Sequence, residues 1–178
     1  MIVMINGAFG VGKTTVANQL LSKLENSMIF DPEMIGMLLR EMLPASIRES
    51  EASTGDFQDF VLWRQQTVTT ADQLISLYKT TLIVPMTIRN IHYFQYNYDG
   101  FKAIDPDTYH FCLMASESTI TDRLKKRGET EGNWCFQQTK KCLHAFEGGQ
   151  FQPYINTEHK HVDDVVDEIM SQINMQQS

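Results

Sequence analysis

Short apolar segments of the chain predict β-strands, and longer segments with apolar residues three or four positions apart predict helices between them. Met1–Ile5 is apolar and rich in β-branched residues, as expected for a strand buried on both faces of a sheet. After a glycine-rich turn, Val16, Leu20 and Leu24 recur at helical spacing and predict the first helix. Four further strands are predicted at residues 27–30, 81–86, 109–114 and 154–156.

Further helices are predicted from Pro32 to about residue 43, then over 57–78, 117–127, about 133–147 and from Val162 onward. Residues 45–56 are polar and predict a loop or a poorly ordered flap, whereas 89–108 mix aromatic residues with turn signals and receive no assignment. Strands that alternate with helices imply parallel strands joined by crossovers, with helices on both faces. We therefore predict one domain, residues 1–178, with a three-layer α/β/α fold around a mostly parallel five-stranded sheet.

Composition narrows the function classes. The net charge of −7 argues against a broad basic face for nucleic acid, and no apolar run of about 18 residues predicts a membrane span. Cys112, Cys135 and Cys142 form no C-x-x-C pair, so neither a disulfide framework nor a zinc site is predicted. The N-terminal apolar run lacks the basic flank and cleavage site of a signal peptide. We expect a soluble cytoplasmic protein, monomeric or homodimeric.

The strongest motif is a phosphate-binding loop at Gly7–Thr14, which fits G-x-x-x-x-G-K-[ST] and lies between a predicted strand and a predicted helix. Glycine lets the backbone turn and approach phosphates closely enough for main-chain N–H groups to surround them. Lys13 would reach the outer phosphates, and the Thr14 hydroxyl would ligate Mg²⁺. The predicted nucleotide-binding residues are Gly7, Ala8, Phe9, Gly10, Val11, Gly12, Lys13, Thr14 and Thr15, with ATP and Mg²⁺ as cofactors.

Two features favour a small-molecule kinase among the proteins that share this loop. The strand at 81–86 runs into Pro85-Met86-Thr87 without the aspartate that would hold Mg²⁺ in an ATPase. A basic cluster follows the fourth strand, and it contains Arg123 and Arg127, which are spaced for one helix face. We predict a lid at about residues 117–133 whose arginines contact the transferring phosphoryl group; the alternative is a solvated helix face.

The acceptor site is predicted at the carboxyl ends of the strands. Asp31, after the second strand, would accept a substrate proton or contact the metal; alternatively it caps the helix at Pro32. Phe57 and Trp63 would stack on a ring and Arg64 would bind a phosphate; the alternative is that Phe57 and Phe60 are core residues and Arg64 is a helix-surface arginine. The predicted substrate-binding residues are Asp31, Glu33, Phe57, Trp63, Arg64 and Thr87, with Met34 and Arg89 nearby. Met34, Met37 and Met42 predict adaptable core or pocket lining, and Thr157 is placed beside the base by analogy with this fold.

Several strings outside the loop resemble the tunicamycin resistance protein family. They are Ile5–Gly10, Asp31–Glu33, Leu39-Arg40, Asp56–Gln58, Leu62–Arg64, Leu82–Ile88 and Leu113–Ser116. The resemblance implies an ATP-binding protein of the nucleoside-kinase-like P-loop class, similar in build to chloramphenicol phosphotransferase and shikimate kinase. It places nucleotide on Gly7–Thr14 and the lid arginines at Arg123 and Arg127, whereas Tyr96–Thr108 departs from the family pattern.

Three functional hypotheses follow. The first is an ATP- and Mg²⁺-dependent phosphotransferase acting on a hydroxyl of a small nucleoside-like or antibiotic molecule. In the second, the protein sequesters tunicamycin or a related nucleoside when its lid closes on nucleotide, without phosphoryl transfer. The third is a sugar or metabolite kinase unrelated to drugs.

Overall fold

A computed structural model describes residues 1–52 and 54–177, and within them five strands form one fully parallel sheet. The strands are β1 (Ile2–Gly7), β2 (Ser27–Ile29), β3 (Thr81–Pro85), β4 (Thr108–Met114) and β5 (Tyr154–Asn156). They lie in the order β2-β3-β1-β4-β5, and helices cover the sheet on both faces. The predicted α/β/α fold is confirmed, and the sheet expected to be mostly parallel is parallel in every pair.

The helices agree with the predicted periodicity over most of the chain. They are α1 (Lys13–Lys23), α2 (Glu33–Met42), α3 (Ala45–Glu51), α4 (Val61–Tyr78), α5 (Ile91–Ile104), α6 (Glu117–Lys126), α7 (Trp134–Phe146) and α8 (Val162–Gln177). A 3-10 turn at Phe57–Asp59 replaces the first turn of the helix predicted over 57–78. Asp56 caps this turn by accepting a hydrogen bond from the Gln58 N–H.

Two segments differ from the sequence predictions. Residues 45–51, predicted as a loop or flap, form α3, which has no buried side chain and therefore no apolar periodicity to reveal it. Ser53 of the same segment and Ser178 lie outside the described residues. The unassigned segment 89–108 contains α5, which starts at an Asn90 cap that accepts from the N–H groups of His92 and Tyr93.

Strand β1 is the centre of the core and positions the phosphate loop. All six of its residues are buried, and it pairs with β3 on one side and β4 on the other. Because the strands are parallel, Gly7, Pro85 and Met114 end at the same edge of the sheet, with connections leaving toward opposite sides. The structure thus places the loop at the point where the strand order reverses.

The outer surface corrects one prediction. Met34, Met37 and Met42 are exposed on α2 (64%, 48% and 66%) and are not the core or pocket lining that their type suggested. Their helix buries Gly36 and Leu39 instead. Among the described residues, no helix is both long and apolar enough to cross a membrane.

Candidate active site

The phosphate loop leaves β1 at Gly7 and enters α1 at Lys13 through glycines with left-handed backbone conformations. Gly10 has φ +79° and Gly12 has φ +113°, values that favour glycine. A Cβ at Gly10 would lie 2.8 Å from Leu124 Cγ, so this glycine also lets α6 pack against the loop. The Thr87 hydroxyl donates to the Gly7 carbonyl at 2.9 Å and ties the loop to the end of β3.

Lys13 is folded back onto its own loop. Its Nζ donates to the Gly7 carbonyl at 3.0 Å and the Ala8 carbonyl at 2.9 Å. Burial lowers the pKa of Lys13 to about 8, although the nearby Glu33 carboxylate opposes that shift. A negatively charged ligand bound in the loop would therefore stabilise the protonated, positively charged form of Lys13.

A cavity of about 650 Å³ opens over the loop. We call it the loop cavity. Phe9–Val16 line its floor, and Asp31 and Glu33 stand on one side of it. Its remaining lining comes from β3, α6, α7 and the β5–α8 region, including Thr87, Arg123, Lys126, Arg127, Trp134, Thr157 and Lys160. Seven of the nine nucleotide-binding positions predicted from the sequence line this cavity, and the other two, Gly7 and Ala8, precede them in the loop.

A second cavity of about 390 Å³, which we call the side cavity, lies against α2, the 3-10 turn and α7. Its own lining residues are Arg40, Asp56, Phe57, Gln58, Arg89, Gln138 and Cys142. It shares Phe9, Glu33, Met86, Thr87 and Trp134 with the loop cavity. The two cavities therefore form one cleft, and an edge-to-face pair of Phe9 and Trp134, with ring centroids 5.0 Å apart, marks the junction.

Two carboxylates stand beside the loop. Asp31 Oδ1 accepts a hydrogen bond from the Glu33 N–H at 2.9 Å, so the helix-start role left open by the sequence is present. Asp31 also lines the loop cavity, which leaves its catalytic role available. Partial burial and the neighbouring Asp31 raise the pKa of Glu33, while Lys13 opposes the shift. Glu33 lies where the two cavities join.

The two predicted lid arginines have different surroundings. Arg123 donates from Nη1 to the Val11 carbonyl and Thr157 Oγ1, and from Nη2 to the Thr157 carbonyl at 2.7 Å. Its guanidinium thus fastens α6 to the phosphate loop and to the segment after β5. Arg127 is 64% exposed, with a 3.9 Å ion pair to Glu129, and lines the loop cavity. Of the pair, Arg127 has the guanidinium that is free to move toward a phosphoryl group.

The prediction that Trp63 stacks on a ligand ring is wrong. Trp63 is 0% exposed, and its Nε1 donates to the Pro32 carbonyl at 3.0 Å, so it is a core residue that a ligand does not reach. Phe57 lines the side cavity. The tryptophan that faces the cleft is Trp134, 57% exposed, at the start of α7. Nothing in the local sequence distinguishes it, because only tertiary packing brings α7 to the cleft.

Arg64 is also structural. Its Nη1 donates to the Gln58 carbonyl at 2.8 Å and the guanidinium lies 4.4 Å from the Tyr93 ring centroid, so it holds the 3-10 turn against α5. It lines neither cavity. The cations that do line the side cavity are Arg40 and Arg89, of which sequence reasoning placed only Arg89 near the acceptor.

The described residues fit a metal that arrives with a nucleotide better than a preformed metal site. They contain no group of three or more His, Cys, Asp or Glu residues arranged to hold an ion. Thr14 is exposed in the loop cavity, and among described residues its hydroxyl has no hydrogen-bond partner, so it remains available as a ligand.

The sequence profile of the AAA domain family matches residues 3–142. A search among functionally described proteins gives no match. The structure is similar to the tunicamycin resistance protein of Deinococcus radiodurans, with a TM-score of 0.77 and 29% identity over 97% of this chain and 94% of that one. This similarity confirms the resemblance to the tunicamycin resistance protein family.

Two more distant structures show the shared kinase-like fold. A gluconokinase from Sinorhizobium meliloti has a TM-score of 0.64 and 16% identity over 98% of this chain and 91% of that one. A shikimate kinase from Acinetobacter baumannii, in complex with shikimate, has a TM-score of 0.60 and 16% identity over 98% of this chain and 93% of that one.

Proposed function

The chain belongs to the AAA domain family, and from that premise we propose that it binds ATP in the loop cavity and transfers a phosphoryl group to a hydroxyl of a small molecule in the side cavity. The observation that carries the proposal is the junction of the cavities. Glu33 and Thr87 line both halves, so groups bound in each would meet beside a carboxylate and the phosphate loop. The similarity to the tunicamycin resistance protein supports a nucleoside-like or antibiotic-like acceptor.

In the proposed step, the acceptor oxygen bonds to the γ-phosphorus while the bond from that phosphorus to the β,γ-bridging oxygen breaks, and ADP leaves. The hydroxyl proton passes to a carboxylate. Glu33 suits this role because its raised pKa makes it a stronger base than an ordinary glutamate. Asp31, the base expected from the sequence, is the other candidate, and one of its oxygens already accepts from the Glu33 N–H.

The remaining groups bind and stabilise charge. Lys13 would exchange its loop carbonyls for the outer phosphates, and Arg127 would approach the migrating group from α6. A Mg²⁺ ion bound with the nucleotide would be held by the Thr14 hydroxyl and would supply further positive charge. Phe9 and Trp134 would exclude water from the junction and offer aromatic faces to the acceptor.

A second candidate is nucleotide-dependent sequestration of a nucleoside-like drug without transfer. The favouring observation is that β3 runs into Pro85-Met86-Thr87, which contains no carboxylate to hold a metal at this edge of the sheet. In that case the cleft would retain both ligands unchanged.

Mass spectrometry after incubation with ATP and Mg²⁺ separates the candidates. The acceptors to test are tunicamycin, uridine, gluconate and shikimate. An acceptor heavier by one phosphate, together with ADP, supports transfer. An unmodified drug that stays bound supports sequestration, and the absence of both contradicts each candidate.

Carboxylate variants assign the base. We expect Glu33→Gln or Asp31→Asn, whichever removes the base, to lower acceptor-dependent ADP release by about 10²–10⁴-fold while ATP binding persists. Asp72→Asn on α4, exposed and outside both cavities, is the matched control. Full activity in both Glu33→Gln and Asp31→Asn would show that neither carboxylate takes the proton.

A further inference from the structure

Arg89 is a half-buried arginine in the side cavity that has no partner of its own. It lines this cavity and not the loop cavity. Among residues 1–52 and 54–177 it makes no hydrogen bond and no ion pair, although Glu33 and Asp56 line the same space. Partly desolvating a guanidinium without a counter-ion is unfavourable, so an unpaired cation at this depth indicates a site that is completed by a ligand.

The backbone around Arg89 is fixed on both sides. The Thr87 hydroxyl bonds to Gly7, and the Thr87 carbonyl accepts from Gln58 Nε2 at 2.7 Å. Ile88 exchanges two hydrogen bonds with the buried Asn6 side chain, at 2.9 and 3.0 Å. Asn90 caps α5. Thr87, Ile88 and Asn90 are therefore held by hydrogen bonds, while the Arg89 guanidinium makes none. This arrangement is expected of a preorganised binding group.

A second cation stands at the rim of the same cavity. Arg40 Nη2 donates to the Gly55 carbonyl at 2.8 Å, and the guanidinium lies 5.3 Å from the Phe57 ring centroid. These contacts orient Arg40 and leave further N–H donors unused. Arginine pairs of this kind bind carboxylates and phosphates through paired hydrogen bonds.

The acidic residues of the cavity are partly engaged elsewhere. Asp56 Oδ1 accepts from the Gln58 N–H and caps the 3-10 turn. Glu33 lines both cavities and so lies at their junction, where burial and the neighbouring Asp31 raise its pKa while Lys13 and Arg40 oppose the shift. Arg40 and Arg89 line only the side cavity and not the loop cavity.

We infer that the acceptor is a small anion that carries a carboxylate or a phosphate. Arg89 binds this anionic group directly, with help from Arg40, while the hydroxyl of the acceptor lies toward Glu33. This inference rests on the proposed function for the place of the hydroxyl. The recognition of the anion depends only on the side cavity. It restricts the acceptor class from any nucleoside-like or sugar-like molecule to its acidic members.

Direct binding tests the inference without requiring transfer. Isothermal titration with a non-hydrolysable ATP analogue present compares two matched pairs of probes, uridine monophosphate with uridine and gluconate with glucose. We expect at least one anionic probe to bind about 10- to 100-fold more tightly than its neutral counterpart, and the pair that shows the difference identifies phosphate or carboxylate.

Variants then assign the effect to the arginines. Arg89→Gln should weaken the anionic probe by about 10- to 100-fold and leave the neutral probe and the ATP analogue unchanged, and Arg89→Lys should recover part of the loss. If Arg89→Gln does not fold, Arg40→Gln tests the same prediction, because it should also weaken binding of the anionic probe. Arg48→Gln on α3 removes the same charge outside both cavities and should have no effect.

Equal affinity for the charged and neutral probes overturns the inference, as does undiminished anion binding in Arg89→Gln, or the absence of binding by both anions. Anion binding that depends on Arg89 but is followed by no phosphoryl transfer supports the inference and counts against the proposed function alone.

Discussion

The Lys13 ammonium rests on two carbonyls of its own loop, and burial there lowers its pKa to about 8. Bound phosphates would favour the protonated form, so the nucleotide-free protein should take up a proton when ATP binds above that pH. We expect the affinity for ATP to fall as the pH rises from about 7.5 to 9.5, by up to about tenfold per unit, because phosphate groups no longer titrate in this range. Calorimetric titration with ATP across these pH values measures this change in affinity.

The control for this prediction is Lys13→Arg, since arginine keeps its proton throughout the range. The affinity of this variant, even if weaker, should not depend on pH. A native profile as flat as that of the variant would show that Lys13 is charged throughout and that its burial has no effect on binding. Lys13→Ala should lose ATP binding altogether.

Sequence alone could predict the phosphate loop because its residues are contiguous and the backbone geometry follows from the glycines. It could not separate Trp63 from Trp134. Both are large aromatic residues near a helix start, but Trp63 is directed into the core, where Pro32 accepts from its Nε1. Arg64 likewise cannot be distinguished by sequence from a ligand-binding arginine. In the structure its guanidinium donates to the carbonyls of Gln58 and Asp59.

At the scale of elements, α2 and the 3-10 turn meet at a glycine. A Cβ on Gly36 would overlap the Phe57 ring, which lines the side cavity. Gly36→Ala should therefore displace that ring, lower the free energy of unfolding by about 1–3 kcal/mol and weaken acceptor binding while ATP binding is retained. Chemical denaturation and titration with each ligand measure these effects.

The matched control is Gly148→Ala, where an added Cβ meets no atom within 4 Å and the backbone is not left-handed. This variant should be neutral or slightly more stable, since alanine reduces the conformational freedom of the unfolded chain. Equal behaviour of the two variants would mean that the contact between Gly36 and Phe57 does not define the wall of the side cavity.

The Arg123 guanidinium joins three elements by binding Val11 and Thr157 from α6. The start of α6 is held from the same direction, since Glu158 accepts from the Ser116 N–H and from Ser116 and Thr119 hydroxyls, hydrogen bonds that lower its pKa to about 2. A double-mutant cycle of Arg123→Met and Thr157→Val should therefore give a coupling free energy of about 0.5–3 kcal/mol in unfolding.

The same cycle with Lys125→Met in place of Arg123→Met is the control. Lys125 is exposed and pairs with Glu131, away from Thr157, so its coupling to Thr157→Val should be close to zero. If the Arg123 cycle also gave no coupling, the hydrogen bond from Arg123 to the Thr157 hydroxyl would contribute nothing to holding α6.

Most elements were predictable because apolar periodicity reports directly on burial. The pattern is absent from α3, whereas in α5 the apolar residues recur at helical spacing but are interrupted by residues typical of turns. In α5, Asn97–Gly100 has the composition of a turn, yet Gly100 is helical because its missing side chain allows α4 to approach; a Cβ would lie 2.6 Å from Val68 Cγ2. Gly100, which resembles a turn residue in the sequence, instead allows α4 and α5 to pack closely. In α3 the buried face that would have produced a pattern is absent.

For the whole molecule, sequence predicted the fold class but not the neighbours of each strand. The order β2-β3-β1-β4-β5 depends on long crossovers whose partners are not encoded locally. That order is what brings Glu33 after β2, Thr87 after β3 and the Gly7 loop after β1 to one edge. The side cavity was therefore only partly predictable, because it is built from α2, the 3-10 turn, the β3–α5 segment and α7 together.

One hydrophobic core extends across the sheet and supports both cavities, so we expect the chain to unfold as one domain in a single transition. ATP with Mg²⁺ at about 100 times its dissociation constant should then stabilise the whole fold by about 2.7 kcal/mol and raise the unfolding midpoint by about 5–10 °C. Differential scanning calorimetry measures both, with Lys13→Ala as the control that should show no shift. Two separate transitions, of which ATP moves only one, would divide the cleft between independently stable units, and its two cavities could then not act as one site.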